Sequence, residues 1–74
     1  MDKPNKYSVD TEVKKILKDD ENGKFMLFGI WHYETFEEFL EFDPGNKYIN
    51  TIRDLYSLGK IVCNDILLEN NVVM

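Results

Sequence analysis

Few residues in this chain could carry chemistry: His32, Cys63, Ser8, Ser57 and a run of carboxylates between Asp19 and Asp43. His32 could serve as a general base if Glu34 or Cys63 lay beside it in space. It continues an aromatic stretch, however, which reads as packing. Cys63 sits between Val62 and Asn64 and reads as a small core residue, with Lys60 the only nearby cation to activate a thiol. Neither serine has a histidine neighbour in sequence. The segment Asp19-Asp20-Glu21-Asn22 lacks the alternating ligands and distal glutamate of a calcium loop, and one cysteine with one histidine cannot complete a zinc site. The four glycines are isolated, so no phosphate-cradling loop is present. The expectation is a protein that is not an enzyme, with no catalytic residue, metal or cofactor.

The carboxylates point elsewhere. Residues 19 to 43 hold eight acidic side chains against Lys24 alone, a net charge of −7, while the rest of the chain is at +2. An acidic island of this kind repels a phosphate backbone and attracts basic partners. Its densest part is YETFEEFLEFDPG, residues 33 to 45, with five acidic residues and no basic one. Glu34, Glu37, Glu38 and Glu41 recur three and four residues apart, which on a helix spaces them by about 5–6 Å. That separation is comparable to phosphates along a nucleic-acid strand. The competing reading is the solvated side of an amphipathic helix, which would lack the apolar surroundings that an acid/base pair needs.

These residues must be positioned by short elements. Thr35-Phe36-Glu37-Glu38 matches a capping box, and acidic residues suit the first turn of a helix. Phe36, Phe39 and Leu40 then fall opposite the glutamates, and Pro44 ends the helix by forcing Asp43 out of helical geometry. Asn46 is placed to cap a following helix with an apolar stripe of Tyr48, Ile49, Ile52, Leu55 and Tyr56, stopped by Gly59. The stretch 9 to 25 fits either a helix on Val9, Val13, Ile16 and Leu17, ended by Asn22-Gly23, or a strand turning through a hairpin. The order Lys-Lys-Ile-Leu favours the helix. KFMLFGIWHY, residues 24 to 33, reads as a strand. It is rich in aromatics and apolar on both parities, as in a strand covered on each face, with Gly29 marking a bulge or a close backbone approach. The tail KIVCNDILLENNVVM is also read as strand, with Asn70-Asn71 as a turn.

Together these elements predict an α+β fold, a small antiparallel sheet of about three strands packed against two or three short helices. Residues 1–8 are expected as a flexible N-terminal arm and residues 9–74 as one small domain. The single cysteine fits a reducing interior, the polar N-terminus does not look like a signal peptide, and no apolar run is long enough to span a membrane. A cytoplasmic location is expected.

The leading functional expectation is a non-enzymatic inhibitor or regulator whose acidic face docks on a basic protein surface, such as that of a nucleic-acid-binding enzyme. Glu34, Glu37, Glu38, Glu41 and Asp43 would supply charge, and Trp31 and Tyr33 apolar anchors. Direct nucleic-acid binding is disfavoured, since Lys14, Lys15 and Lys18 form only a minor patch. Two alternatives share the composition. One is an immunity or antitoxin protein that neutralises a nuclease. The other is a structural subunit forming a homodimer through its apolar C-terminal strand. At class level the size, acidity, lone cysteine and Lys/Asn/Ile/Glu-rich composition resemble the small acidic inhibitors of bacteriophages and mobile elements, some of them nucleic-acid mimics.

Overall fold

Residues 24–32 and 60–69, within the two stretches expected as strands, are helices. A computed structural model describes residues 4–72. It contains α1 (Lys6–Asp19), α2 (Gly23–His32), α3 (Phe36–Phe42), α4 (Ile49–Ser57) and α5 (Lys60–Glu69), and among the described residues there is no strand. The expected α+β fold with a small antiparallel sheet is thereby corrected to an all-helical one.

The physical reason for the correction at α2 is apolarity on all sides of the helix. Leu27 and Ile30 are buried in the core, while Phe25, Phe28, Gly29 and His32 follow at helical spacing on the opposite side. A segment apolar all round has apolar residues on both parities, as a two-sided strand does, so period alone cannot separate the two. In α5 the helical signal is Cys63, Ile66 and Leu67, all buried, three and four residues apart. Exposed Ile61 and Leu68 blur that signal.

The first helix forms on its expected apolar stripe but begins and ends elsewhere than the sequence reading placed it. Asn5 caps it: Ser8 N–H donates to Asn5 Oδ1 at 2.9 Å, and Asn5 N–H donates back to Ser8 Oγ at 3.3 Å. Residues 6–8 are therefore already helical, which shortens the expected loose arm; residues 1–3 lie outside the described residues. Val9, Val13 and Ile16 make the buried stripe of α1. Asn22-Gly23 does not stop this helix in a left-handed turn. Asp20 ends it in extended backbone, and Gly23 opens α2 where a Cβ would lie only 2.8 Å from Ile16 Cγ2.

The chain reverses at two left-handed positions. Gly59, at φ 95°, joins α4 to α5 in a region that only glycine occupies comfortably. At the other end of α5, Asn71 takes φ 64°. Asn71 N–H then donates to Leu68 O at 3.1 Å and Val72 N–H to Leu67 O at 2.8 Å, the hydrogen-bond pair of a Schellman motif. This folds Val72 inward to complete burial, and its carbonyl accepts Trp31 Nε1–H at 3.0 Å. A homodimer through a C-terminal strand is therefore corrected as well. The tail is helix α5 followed by a turn that seals the core, and it presents no strand edge through Val72. Val73 and Met74, part of the expected pairing strand, lie outside the described residues.

The core joins Val9, Val13, Ile16, Leu27, Ile30, Phe39, Ile52, Leu55, Cys63, Ile66, Leu67 and Val72, so every helix contributes. No polar or charged residue is buried among them. Polar ties close the periphery instead. Asn70 Nδ2–H donates to Asp10 Oδ1 at 2.8 Å, linking α5 to α1, and Lys6 pairs with Glu69 at 3.3 Å across the same helices.

Two outcomes test this architecture. Asn71→Gly should leave stability unchanged or slightly raised, whereas Asn71→Val should cost about 1–2 kcal/mol in denaturant unfolding, because a β-branched residue resists positive φ. Asp10 gives a pH dependence. Its burial raises the carboxyl pKa, but the Asn70 amide and the Lys14 and Lys6 ammonium groups outweigh this and leave it lowered. A lowered carboxyl contributes stability that is present above its unfolded value and lost as pH falls through the folded one. The stability gap between wild type and Asp10→Asn should therefore shrink between about pH 7 and about pH 3; a gap constant across that range would contradict the linkage.

Candidate functional site

α2 and α3 cross where Gly29 has no side chain: a Cβ there would meet the buried Phe39 ring at 3.1 Å. The sequence reading of Gly29 as a strand bulge or close backbone approach is corrected: it sits in a helix, and a side-chain ring packs against it. Beside this crossing lies an open groove of about 580 Å³ lined by α2, α3 and the link between them. Phe25, Phe28 and His32 line it from α2, and Phe39 and Phe42 from α3. Tyr33 in the link stacks on Phe42 at 5.3 Å and meets Phe39 edge-on at 6.1 Å. Phe25 is 81% exposed and Phe42 64% exposed, so two large rings face solvent on opposite walls.

α3 has the cap expected of it. Thr35 Oγ1 accepts Glu38 N–H at 3.2 Å, although no return bond from the Glu38 side chain is made. Glu37, Glu38 and Glu41 are all exposed. By helical rotation Glu38 lies next to Phe42, with Glu41 and Glu37 further round the same outer side. The stripe is shorter than the sequence suggests. Glu34 precedes the cap and pairs with Lys60 at 3.6 Å. Asp43 ends α3, accepts Asn46 Nδ2–H at 3.0 Å, and closes one end of the groove. Among the described residues, Glu37, Glu38 and Glu41 form no ion pair; the four present are Lys6–Glu69, Lys14–Asp10, Lys47–Asp20 and Lys60–Glu34.

The other acidic cluster is organised differently. Asp20 accepts Asn22 N–H, pairs with Lys47 at 3.4 Å and lies 3.4 Å from the Tyr48 hydroxyl. The Asn22 amide first, then Lys47 and Tyr48, hold its carboxyl below the usual value against the opposing effect of burial. This carboxylate fastens the α1–α2 turn to the start of α4. Asn46, expected as the cap of α4, instead accepts Tyr48 N–H at 2.8 Å, one turn before the helix begins at Ile49.

The two aromatics expected as anchors are partly committed within the fold. Trp31 packs on the core and donates to Val72 O. Tyr33 lines the groove, and its carbonyl accepts the Tyr56 hydroxyl at 3.0 Å. Burial, reinforced by Cys63, Glu38, Glu34 and Tyr33, pushes the Tyr56 phenol up to about 12 and keeps it a hydrogen-bond donor.

His32 and Cys63 do not share a cavity. The imidazole borders the α2/α3 groove, whereas Cys63 is buried at a separate crevice of about 50 Å³ with Glu34, Tyr56 and Lys60. Burial pushes the thiol up to about 11, with Lys60 only partly opposing it. Among the described residues, no three His, Cys, Asp or Glu side chains converge as a metal-binding group, and no helix is long and apolar enough to cross a membrane.

Sequence reasoning missed the groove itself. Its signal is Phe25, Phe28, Gly29 and His32 at positions i, i+3, i+4 and i+7, visible only once residues 23–32 are read at the helical period. No known protein family, curated protein or solved structure matches this chain.

The burial of Cys63 yields a direct test. In the native protein at neutral pH, alkylation by iodoacetamide should be at least about a hundredfold slower than in the denatured chain, because the thiolate is scarcer and access is blocked. Equal rates would show a thiol open to solvent.

Proposed function

We propose that this chain is a non-enzymatic binding protein, an inhibitor or regulator that presents an acidic helical face to a basic site on another protein. The observation that carries the reading is the free state of Glu37, Glu38 and Glu41. These three exposed carboxylates lie on one short helix, and among the described residues none of them forms an ion pair. The Thr35 cap and the positive end of the helix dipole account for acidic residues in the first turn. They do not account for Glu41 in the second. Glu38 and Glu41 are three residues apart and repel each other by some tenths of a kcal/mol. Docking against cations removes that cost.

A nucleic-acid-binding enzyme fits as the partner class, because its active surface is basic and built to meet rows of negative charge. Glu37, Glu38 and Glu41 act as the charged group. Glu34 and Asp43 stand at its two ends, drawn inward by Lys60 and Asn46. Tyr33 contributes an aromatic edge beside it, and Trp31 supports the surface from behind through the core. A reducing cytoplasm suits the lone buried thiol.

The test is a pull-down from the native host with wild type and the Glu37→Lys/Glu41→Lys double variant, followed by affinity measurements over an ionic-strength series. The wild type should retain a basic partner whose binding weakens as salt rises. The double reversal should weaken binding about tenfold or more. Binding that ignores both salt and the reversal would contradict the reading.

A further inference from the structure

The groove and the acidic face are parts of one surface, and together they specify a partner. The groove is lined mainly by apolar side chains, with His32, Asp43 and the Tyr33 phenol its polar members. It lacks the several convergent polar groups that orient a small ligand. It is lined by α2, α3 and the link between them, with Gly29 and Phe39 in contact inside it, and it opens to solvent beside the exposed Phe25 and Phe42. Such a surface accepts the apolar face of a helix.

Charge chooses among the helices that could lie there. On the α3 side Asp43 lines the groove, and helical rotation sets Glu38 next to the lining residue Phe42, with Glu41 beyond. Lys24, at the start of α2, is the one lysine or arginine in the two groove helices. A second copy of this chain is disfavoured, because a two-fold contact through this surface would set the same carboxylates against each other. An anionic membrane surface is disfavoured for the same reason.

Resting on the reading of α3 as a docking face, we infer that the occupant of the α2/α3 groove is a cationic amphipathic helix of a partner protein. Its apolar stripe packs between Phe25 and Phe42, and its flanking lysines or arginines meet Glu38, Glu41 and Asp43. The exposed rings supply the contact area and the carboxylates set partner choice and orientation.

The experiment uses the full chain and three fluorescein-labelled peptides of about 14 residues, or four helical turns. The first carries Leu and Phe at positions i, i+3, i+4 and i+7 with lysines flanking that stripe. The second has the same composition with the stripe scrambled. The third keeps the stripe but replaces lysine by glutamate. Fluorescence anisotropy should show saturable binding of the first peptide and at least about tenfold weaker binding of the other two. Phe25→Ser, at a position too exposed to support the core, should weaken the first peptide about tenfold, as should Phe42→Ser; helical circular dichroism confirms that both variants fold. Equal binding of the first two peptides, insensitive to Phe25→Ser, would overturn the groove while leaving the acidic face as the docking surface. Equal binding of the first and third would overturn the cationic partner. Binding of neither lysine peptide would overturn the groove proposal, while the acidic-face reading stands or falls on the pull-down and its salt series. A dimer in light scattering that Phe42→Ser disperses would make the occupant a second copy and overturn the proposal.

Discussion

The structure depends on α2, a ten-residue helix that is apolar on nearly every side. The other four helices cover it only in part: among the described residues its Phe25 side stays open to solvent. The core takes Leu27 and Ile30. Trp31 secures the far edge by bonding to the turn after α5. Gly29 admits Phe39, so α3 covers part of the opposite side. What remains is the strip from Phe25 to His32, and the groove is that uncovered remainder. Among the described residues, no helix packs over that strip.

The same constraint explains the placement of charge. α3 is only seven residues long and must bury Phe39 on one side. A short helix cannot rely on its own hydrogen bonds, so Thr35 and the acidic first turn stabilise its start, and Asp43-Pro44 enforces its end. Those local requirements account for Glu37 and Glu38; Glu41, which they do not require, completes the acidic outer side of α3. Asp20 and Glu34, by contrast, are used internally through Lys47 and Lys60. The acidic island of the sequence therefore divides in three dimensions: Asp20, Glu34 and Asp43 hold turns and helix ends, while Glu37, Glu38 and Glu41 form no ion pair among the described residues.

The local signals were legible where they were specific. Thr35 and Pro44 bounded α3, Gly59 stopped α4, and the Ile52–Leu55 stripe located the fourth helix. Asn71 was readable as a residue that tolerates positive φ. The sheet was misread because residues 24–33 and 60–69 are rich in Ile, Val and aromatics, a composition that favours strands on average. Tertiary packing overrides that preference here: Ile16 seats on Gly23, and Cys63, Ile66 and Leu67 face one core. The charged residues of the candidate site were visible from their spacing. The groove was not, because Phe25, Phe28 and Phe42 share a surface only after α2 is helical and crosses α3.

The central claim is that residues 23–32 form a helix with its Phe25 side open to solvent. Backbone NMR shifts combined with a soluble gadolinium relaxation agent test this directly. Helical shifts through this segment, strong broadening of the Phe25 ring and protection of the Phe39 ring are the expected result. Extended-chain shifts over the segment, or a Phe25 ring shielded as fully as Phe39, would contradict the account.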